Sequence, residues 1–408
     1  MKLQRAVTAL AMAAALFMPS LAGAQPKPKP KPCDIDATPA ATLLIPYFEV
    51  VPLADPVPGS TLVALVNAQS ATRIAHVTLW TDWAIPTANF DVVLTANDVY
   101  TFDVVNLFRQ PIELQPEIPG CRGTLRPGTL HMSAALRPGP SMDEKLSRLR
   151  EAHSGTVMAL STGNFVASST HPDDTMVGYI TVDVVRKCTA QFPSAASYFD
   201  PKTRVASDEN ALLGDVIWTD YARGIAYGEP AVHLRAHPTE FGKEITFYWR
   251  YVDGKGWDHR QPLGRHYAHR YLLGPLGNMP LATNLLIWRD TRSKFARPVA
   301  AGTTPHWLPL TRISFSDWDE EENQGPGDLA AEATSLATQR VDITDPLVYT
   351  PFAPFGWMKW DLGHQQSARF KEDGQAWITF LAKAANFPIT AEQAGMGLRA
   401  WSLQSRCK

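Results

Sequence analysis

Apolar and polar positions alternate along most of the chain from residue 40 onward. Between Arg73 and Thr81, Ile74, His76, Thr78 and Trp80 fall on one face of a strand, with Ala75, Val77 and Leu79 on the other. Met176 to Val185 alternates in the same way. Thr42–Ile45, Tyr47–Val51, Thr61–Val66, Phe90–Leu94 and Val99–Val105 supply further short strand-forming runs. Breakers separate them at Pro58-Gly59, Asn67, Asp82, Pro86 and Asn97-Asp98. Strands recurring at roughly 10–16 residues between such breakers predict a sandwich or barrel. Later, strands are predicted at 212–218, 232–235, 245–252, 267–273, 285–288, 312–315, 357–362, 376–381 and 398–403.

Helical periodicity is confined to short pieces. Ser141-Met142-Asp143-Glu144 is a capping box, and Met142, Leu146 and Leu149 then share one helical face. Asp328–Thr338 and Thr390–Ala394 are two more candidates. The signal weakens from Thr189 to Asn210, with Pro193, Ser194, Ser197, Pro201 and Ser207, which predicts a linker over 191–210. The expected fold is all-β: two β-sandwich (Ig-like) domains, 40–190 and 211–408, with a few short helices in loops. The halves also echo each other. Thr61–Asn67 leads to Val77–Trp83, and Asn284–Asp290 leads to Arg312–Trp318, each ending in Asp-Trp.

The first residues add a destination. Lys2 and Arg5, the apolar run Ala6–Leu16 and Ala22-Gly23-Ala24 together have the form of a secretory signal over 1–24, with cleavage expected before Gln25. Residues 25–39 follow as a linker, whose alternating Pro and Lys from Pro26 to Pro32 form a polyproline rod of about 22 Å. The expected location is the periplasm, the cell surface or the medium. No later apolar run reaches about 18 residues, so no transmembrane helix is expected. A formal charge of −2 over 408 residues gives no electrostatic case for nucleic acid. A hydrophobic fraction of 45% excludes a disordered chain.

Export changes the meaning of Cys33, Cys121, Cys188 and Cys407, which then meet an oxidising compartment. Three pairings are possible. Cys121–Cys188 is favoured, which leaves Cys33–Cys407 to join the chain ends.

The segments Thr42–Val50, Val77–Asp82 and Gly178–Cys188 resemble a group of uncharacterised exported bacterial proteins. Leu286–Asp290 and Asp319–Asn323 are similar to it as well. The resemblance implies export and a β-rich fold. It supplies no catalytic residue.

Candidate chemistry is sparse. No GxSxG, HExxH, CxxC or Walker A pattern occurs, so no catalytic residue is assigned. Asp317, Asp319, Glu320, Glu321 and Glu322, with Asn323, concentrate oxygen ligands of the kind calcium takes, but without EF-hand spacing. His266 and His269 are three apart, which in a strand sends them to opposite faces. Asp82, Asp220, Asp290 and Asp317 recur at strand ends beside aromatics. Most of the tryptophans are expected to plug cores. Trp257 and Trp307, in loops, are expected to be exposed and with Trp83 are the candidates for stacking on a ligand such as a sugar. The expected role is non-catalytic, binding or structural, with envelope polysaccharide or another surface protein as partner. A carbohydrate-binding or carbohydrate-active protein and a calcium-stabilised adhesion module are the alternatives.

Overall fold

The computed structural model describes residues 38–203, 205–221, 224–241, 245–252, 255–272, 274–276, 279–291, 293–308, 314–325, 336–343, 348–349, 353–363, 374–384 and 404–406. The signal segment 1–24, nearly all of the 25–39 linker, Cys33, Cys407, the helix candidate at 390–394, most of that at 328–338 and the 398–403 strand lie outside them.

In chain order the strands are β1 (Thr42–Val50), β2 (Gly59–Asn67), β3 (Arg73–Thr81), β4 (Pro86–Leu94), β5 (Val99–Asp103), β6 (His131–Met132), β7 (Met158–Leu160), β8 (Gly163–Val166) and β9 (Met176–Val185). Next come β10 (Leu212–Asp220), β11 (Ile225–Pro230), β12 (Val232–Leu234), β13 (His266–Leu272), β14 (Gly274–Leu276), β15 (Met279–Arg289) and β16 (Val299–Ala300). The last are β17 (Ser314–Trp318), β18 (Thr338–Asp342), β19 (Phe355–Asp361), β20 (Ala376–Ala384) and β21 (Gln404–Arg406). Two α-helices, α1 (Val104–Leu107) and α2 (Met142–Ser154), interrupt them among the described residues.

The chain is mostly β, in several antiparallel sheets. A six-stranded sheet runs β12-β1-β9-β3-β4-β6, and a four-stranded one runs β11-β10-β2-β5. Further on, β17-β19-β13-β21 form one sheet, while β15 pairs β14, β18 and β20 in another. β16 joins β8 and β7.

The two halves share one strand path. The segment β1-β9-β3 has its counterpart in β13-β19-β17, and β10-β2-β5 in β20-β15-β18. Register agrees as well. Asp183 on β9 lies opposite Thr42 and His76, as Asp361 on β19 lies opposite His266 and Ser314. Five residues before each Asp stands a glycine. A Cβ on Gly178 would sit 2.1 Å from the Trp80 carbonyl oxygen, and one on Gly356 would sit 1.8 Å from that of Trp318. The register therefore equates Trp318 with Trp80. The Asp-Trp pattern in the sequence pointed instead to Trp83, three residues away.

β3 and β9 are buried on both faces. Leu43, Ile45, Val77, Leu79, Ile180 and Val182 pack with Val63, Leu65, Leu212 and Val216 in one core. On the opposite face Leu44, Trp80 and Tyr179 join Tyr267, Trp288 and Trp360 in a second core that spans both halves.

Two stretches differ from expectation. Residues 191–210 bury Tyr198, Phe199, Val205 and Ala206, and the strands after them return to the same sheets, β10 against β2 and β12 against β1. The first two sheets therefore extend to Leu234. Residues 245–252 form consecutive turns, with Trp249 N bonded to Thr246 O, Tyr251 N to Tyr248 O and Val252 N to Trp249 O. The physical reason is spacing: Phe247, Tyr248, Tyr251 and Val252 are buried at i, i+1, i+4 and i+5, a turn period rather than a strand period.

The Cys121–Cys188 disulfide is formed. The capping box at Ser141 is formed on both sides, and Gly155 closes α2 at φ +74°.

Candidate functional site

Beside its apolar core, the second face of the six-stranded sheet carries a closed polar network. Asp183 is wholly buried and accepts hydrogen bonds from Thr42 Oγ1 and from the hydroxyls of Tyr198 and Tyr248, the latter two at 3.1 Å. Arg260 lies 3.4 Å from Asp183 and 3.3 Å from Asp258, donates to Ser207 O, and stacks near Phe199 and Tyr248. Burial pushes the Asp258 carboxyl up, against the pull of Arg260. Each polar group of this network meets a partner and none meets solvent, so the network fixes residues 245–252 and 255–263 onto the sheet.

Asp82, at the end of β3, holds a second cluster. It accepts from Ser169 Oγ and lies 3.1 Å from His171 Nε2, while Ser169 Oγ is 3.4 Å from that same nitrogen. A nucleophile–base–orienter series uses the two imidazole nitrogens in turn. Here one nitrogen meets both groups and the serine proton goes to the carboxylate, so the cluster anchors the loop.

A cleft opens where the halves meet. Pro46 lacks an N–H, and the β1–β9 register shifts between Ile45 and Phe48. Beyond that irregularity Tyr47 and Glu49 lie two residues apart on β1, and the Tyr47 hydroxyl donates to Glu49 Oε2 at 2.6 Å. Burial, then Glu49, raises the Tyr47 pKa well above its ordinary value. From the other half, Thr338 Oγ1 donates to the Pro46 carbonyl. Two residues further along β18, Arg340 Nη1 reaches Glu49 Oε2 at 2.9 Å.

This ion pair separates two adjoining cavities. One, of about 380 Å³, takes in His171, Pro172, Thr175, Thr338 and Gln339. The other, of about 200 Å³, is lined by Tyr47, Glu49, Trp218, Tyr227, Asn284 and Arg340, with Leu286 and Leu381 as apolar walls and Asp220 at one side. Trp218 and Tyr227 are cross-strand neighbours, and the Trp218 indole donates to Tyr47 O at 3.0 Å. Gly59 lets β2 close on β10, since a Cβ there would sit 2.2 Å from Thr219 O.

Asn284, on the central strand β15 between Leu381 and Asp342, forms part of the wall of the smaller cavity, with its amide atoms closed off from that space. It is 2% exposed, and neither its amide nitrogen nor its amide oxygen has a hydrogen-bond partner. Buried polar groups are nearly always paired, so this orphan calls for an explanation.

Of the residues singled out from sequence, Asp220 lies at this cleft, and the tryptophan and acidic-run candidates do not. Trp307 is 1% exposed and donates its indole N–H to Trp83 O at 2.9 Å; Trp83 is buried beside it. The expected exposure of Trp307 is thus corrected: a small core containing Ile85, Leu136 and Met158 absorbs both rings. Trp257 is half-buried, with Lys255 Nζ 4.5 Å from its ring centre. The exposed aromatics among the described residues include Tyr221, Phe295, and Phe355 and Trp357 on β19, the last capped by Arg270 at 4.9 Å.

The acidic run disperses. Asp317 is buried and accepts from Tyr349 OH at 2.5 Å, Asp319 closes a turn with Asn323, and Glu320 lies 3.6 Å from Arg270. Glu321 and Glu322 are exposed on that turn. Among the described residues no three His, Cys, Asp or Glu side chains gather in a metal-holding group. Apart from Asp220, the cleft residues escaped notice in the sequence because they come from six strands. One local signal was present: an Asn inside the apolar run Leu281–Trp288.

No helix among the described residues is long and apolar enough to cross a membrane. No family model matches the chain, and no curated protein or solved structure matches it either.

Proposed function

We propose that this chain is an exported, non-catalytic binding protein of the envelope or extracellular space, and that its ligand seat is the cleft at Tyr47, Glu49, Trp218, Tyr227, Asn284 and Arg340. The carrying observation is the cleft itself, lined from both halves by Tyr47, Trp218, Tyr227, Leu286 and Leu381 with the Glu49–Arg340 pair at its rim. The Glu49–Arg340 pair at the rim joins the two halves, so both contribute to the seat. The Cys121–Cys188 bond and the form of residues 1–24 support an oxidising destination. Envelope polysaccharide or another surface protein is the proposed source of the ligand.

Each half is proposed to be one sandwich of two sheets. Its successive shared strands alternate between the sheets, β1, β3 and β9 in one and β2, β5 and β10 in the other. An immunoglobulin domain instead keeps neighbours such as A and B, or F and G, in one sheet. The immunoglobulin-like expectation therefore narrows to a sandwich.

The test is ligand-observed NMR of the oxidised protein against a chemically mixed fragment library. Hits that Arg340→Gln weakens are expected. A library that yields hits indifferent to Arg340, or no hits, contradicts the proposal.

A further inference from the structure

The large sheets of the chain stack in one order. The β10-β2-β5 sheet packs on the β1-β9-β3 sheet through Val63, Leu65, Leu212 and Val216. The other face of the β1-β9-β3 sheet carries the β20-β15-β18 sheet. There Trp288 meets Tyr179 with ring centres 6.0 Å apart, Thr338 bonds the Pro46 carbonyl and Arg340 pairs with Glu49. On the far side of β15, Leu285 and Ile287 join Tyr267 and Trp360 of the last sheet, and Phe380 meets His269.

Strand register matches the two faces that meet between the halves with two that end the stack. Leu62 lies opposite Asp103 at the end of β5, as Asn284 lies opposite Asp342 at the end of β18. Asn67 lies opposite Leu212, as Arg289 lies opposite Ala376. Both pairings give the same offset. Ala64, Val66 and Val99 therefore match Leu286, Trp288 and Thr338, and Ile217 matches Leu381. On the other side Trp318 and Trp357 match Trp80 and Tyr179, cross-strand neighbours in each half. The set that meets inside the chain is buried. In the matching set Val99, Ile217, Phe355 and Trp357 are between 38% and 56% exposed.

We infer that a second copy of this chain covers these end faces. Val66, Val99 and Ile217 of one copy seat on Trp318 and Trp357 of the next, which repeats between copies the contact that joins the two halves. Alternation along β2, β5 and β10 puts Leu62, Val66, Val99, Leu213 and Ile217 on one side of their sheet, an apolar surface of the kind that marks association. The two faces differ and end the stack on opposite sides, so the contact is heterologous. Such contacts propagate as open fibres or close into rings, and do not stop at a dimer.

Sedimentation velocity of the oxidised chain, from about 1 to about 200 μM, spans micromolar dissociation constants. Mass rising past that of a dimer is expected. Trp357→Glu blocks one face, and Val99→Lys with Ile217→Lys in one chain blocks the other. These positions are exposed, so the variants are expected to melt within about 2 °C of the natural chain. Phe355→Glu, on the same face as Trp357, replaces Trp357→Glu if that variant melts lower. Each blocked chain alone is expected to stay monomeric. An equimolar mixture of the two is expected to form a mixed dimer and stop there, because each supplies the face the other lacks. A natural chain that is monomeric throughout overturns the inference. Association indifferent to both variants places the contact elsewhere and overturns it too. A dimer that the variants abolish and their mixture does not restore replaces the heterologous contact with a two-fold one, and also overturns it.

Discussion

Glu229 on β11 is buried, and desolvation pushes its carboxyl up to about 7 despite a hydrogen bond with Thr379. Below about pH 4.5 both folded and unfolded chains hold the proton, and the group costs nothing. As pH rises through about 7 the folded state comes to bear a buried charge, on the order of 3 kcal/mol. Glu229→Gln is therefore predicted to raise the urea midpoint at pH about 8 and to change it little at pH about 4. An equal shift at both pH values would contradict this. His153 runs the other way. Its Nδ1 donates to Val177 O at 2.9 Å, its Nε2 lies 2.9 Å from Thr87 Oγ1, and burial lowers its pKa to about 4. The neutral ring's contribution is complete above about 6.5 and is lost as pH falls toward about 4. His153→Gln should flatten that acid limb in urea titrations; an unchanged pH slope would count against the assignment. Single residues were partly legible. His266 and His269 do face opposite ways, His269 buried against the Trp360 indole and His266 beside Asp361. The strand-end Asp82 and Asp317 stood out, but their complete burial did not, because burial depends on what packs above them.

At the scale of elements, alternation made β2, β3 and β9 readable, and the capping box made α2 readable. Ser141→Ala should cost about 1 kcal/mol. Replacing Cys121 and Cys188 together by Ala reopens a loop of sequence separation 67 and should cost up to roughly 4 kcal/mol in the chain-entropy model, read as a lower urea midpoint. Residues 245–252 misled because aromatic and β-branched residues promise a strand, whereas their burial follows a turn period. Partner choice was not readable at all. The path shared by the halves is a matter of which strand lies beside which, and local pattern carries no such information. The repeat makes its own prediction. Gly178→Ala and Gly356→Ala each drive a methyl into the carbonyl of a tryptophan on the neighbouring strand, and both should lower the melting temperature. Tolerance at either position would weaken the equivalence.

Across the whole molecule, the cleft gathers Tyr47, Trp218, Tyr227, Asn284 and Arg340 from strands spread over nearly 300 residues. No motif announces such a site, since its parts meet only when both halves are folded. The expectation that loop tryptophans would bind a ligand failed for a related reason: Trp307, flanked by prolines in sequence, finds a core made by residues far earlier in the chain. The central claim is a ligand seat shared by both halves at the Glu49–Arg340 cleft. Its most direct test is a crystal structure of the oxidised chain with the strongest hit of the fragment library. Density for that ligand against Trp218, Tyr227 and Arg340 is the expected result. A ligand bound only elsewhere, with this cleft empty, would contradict it.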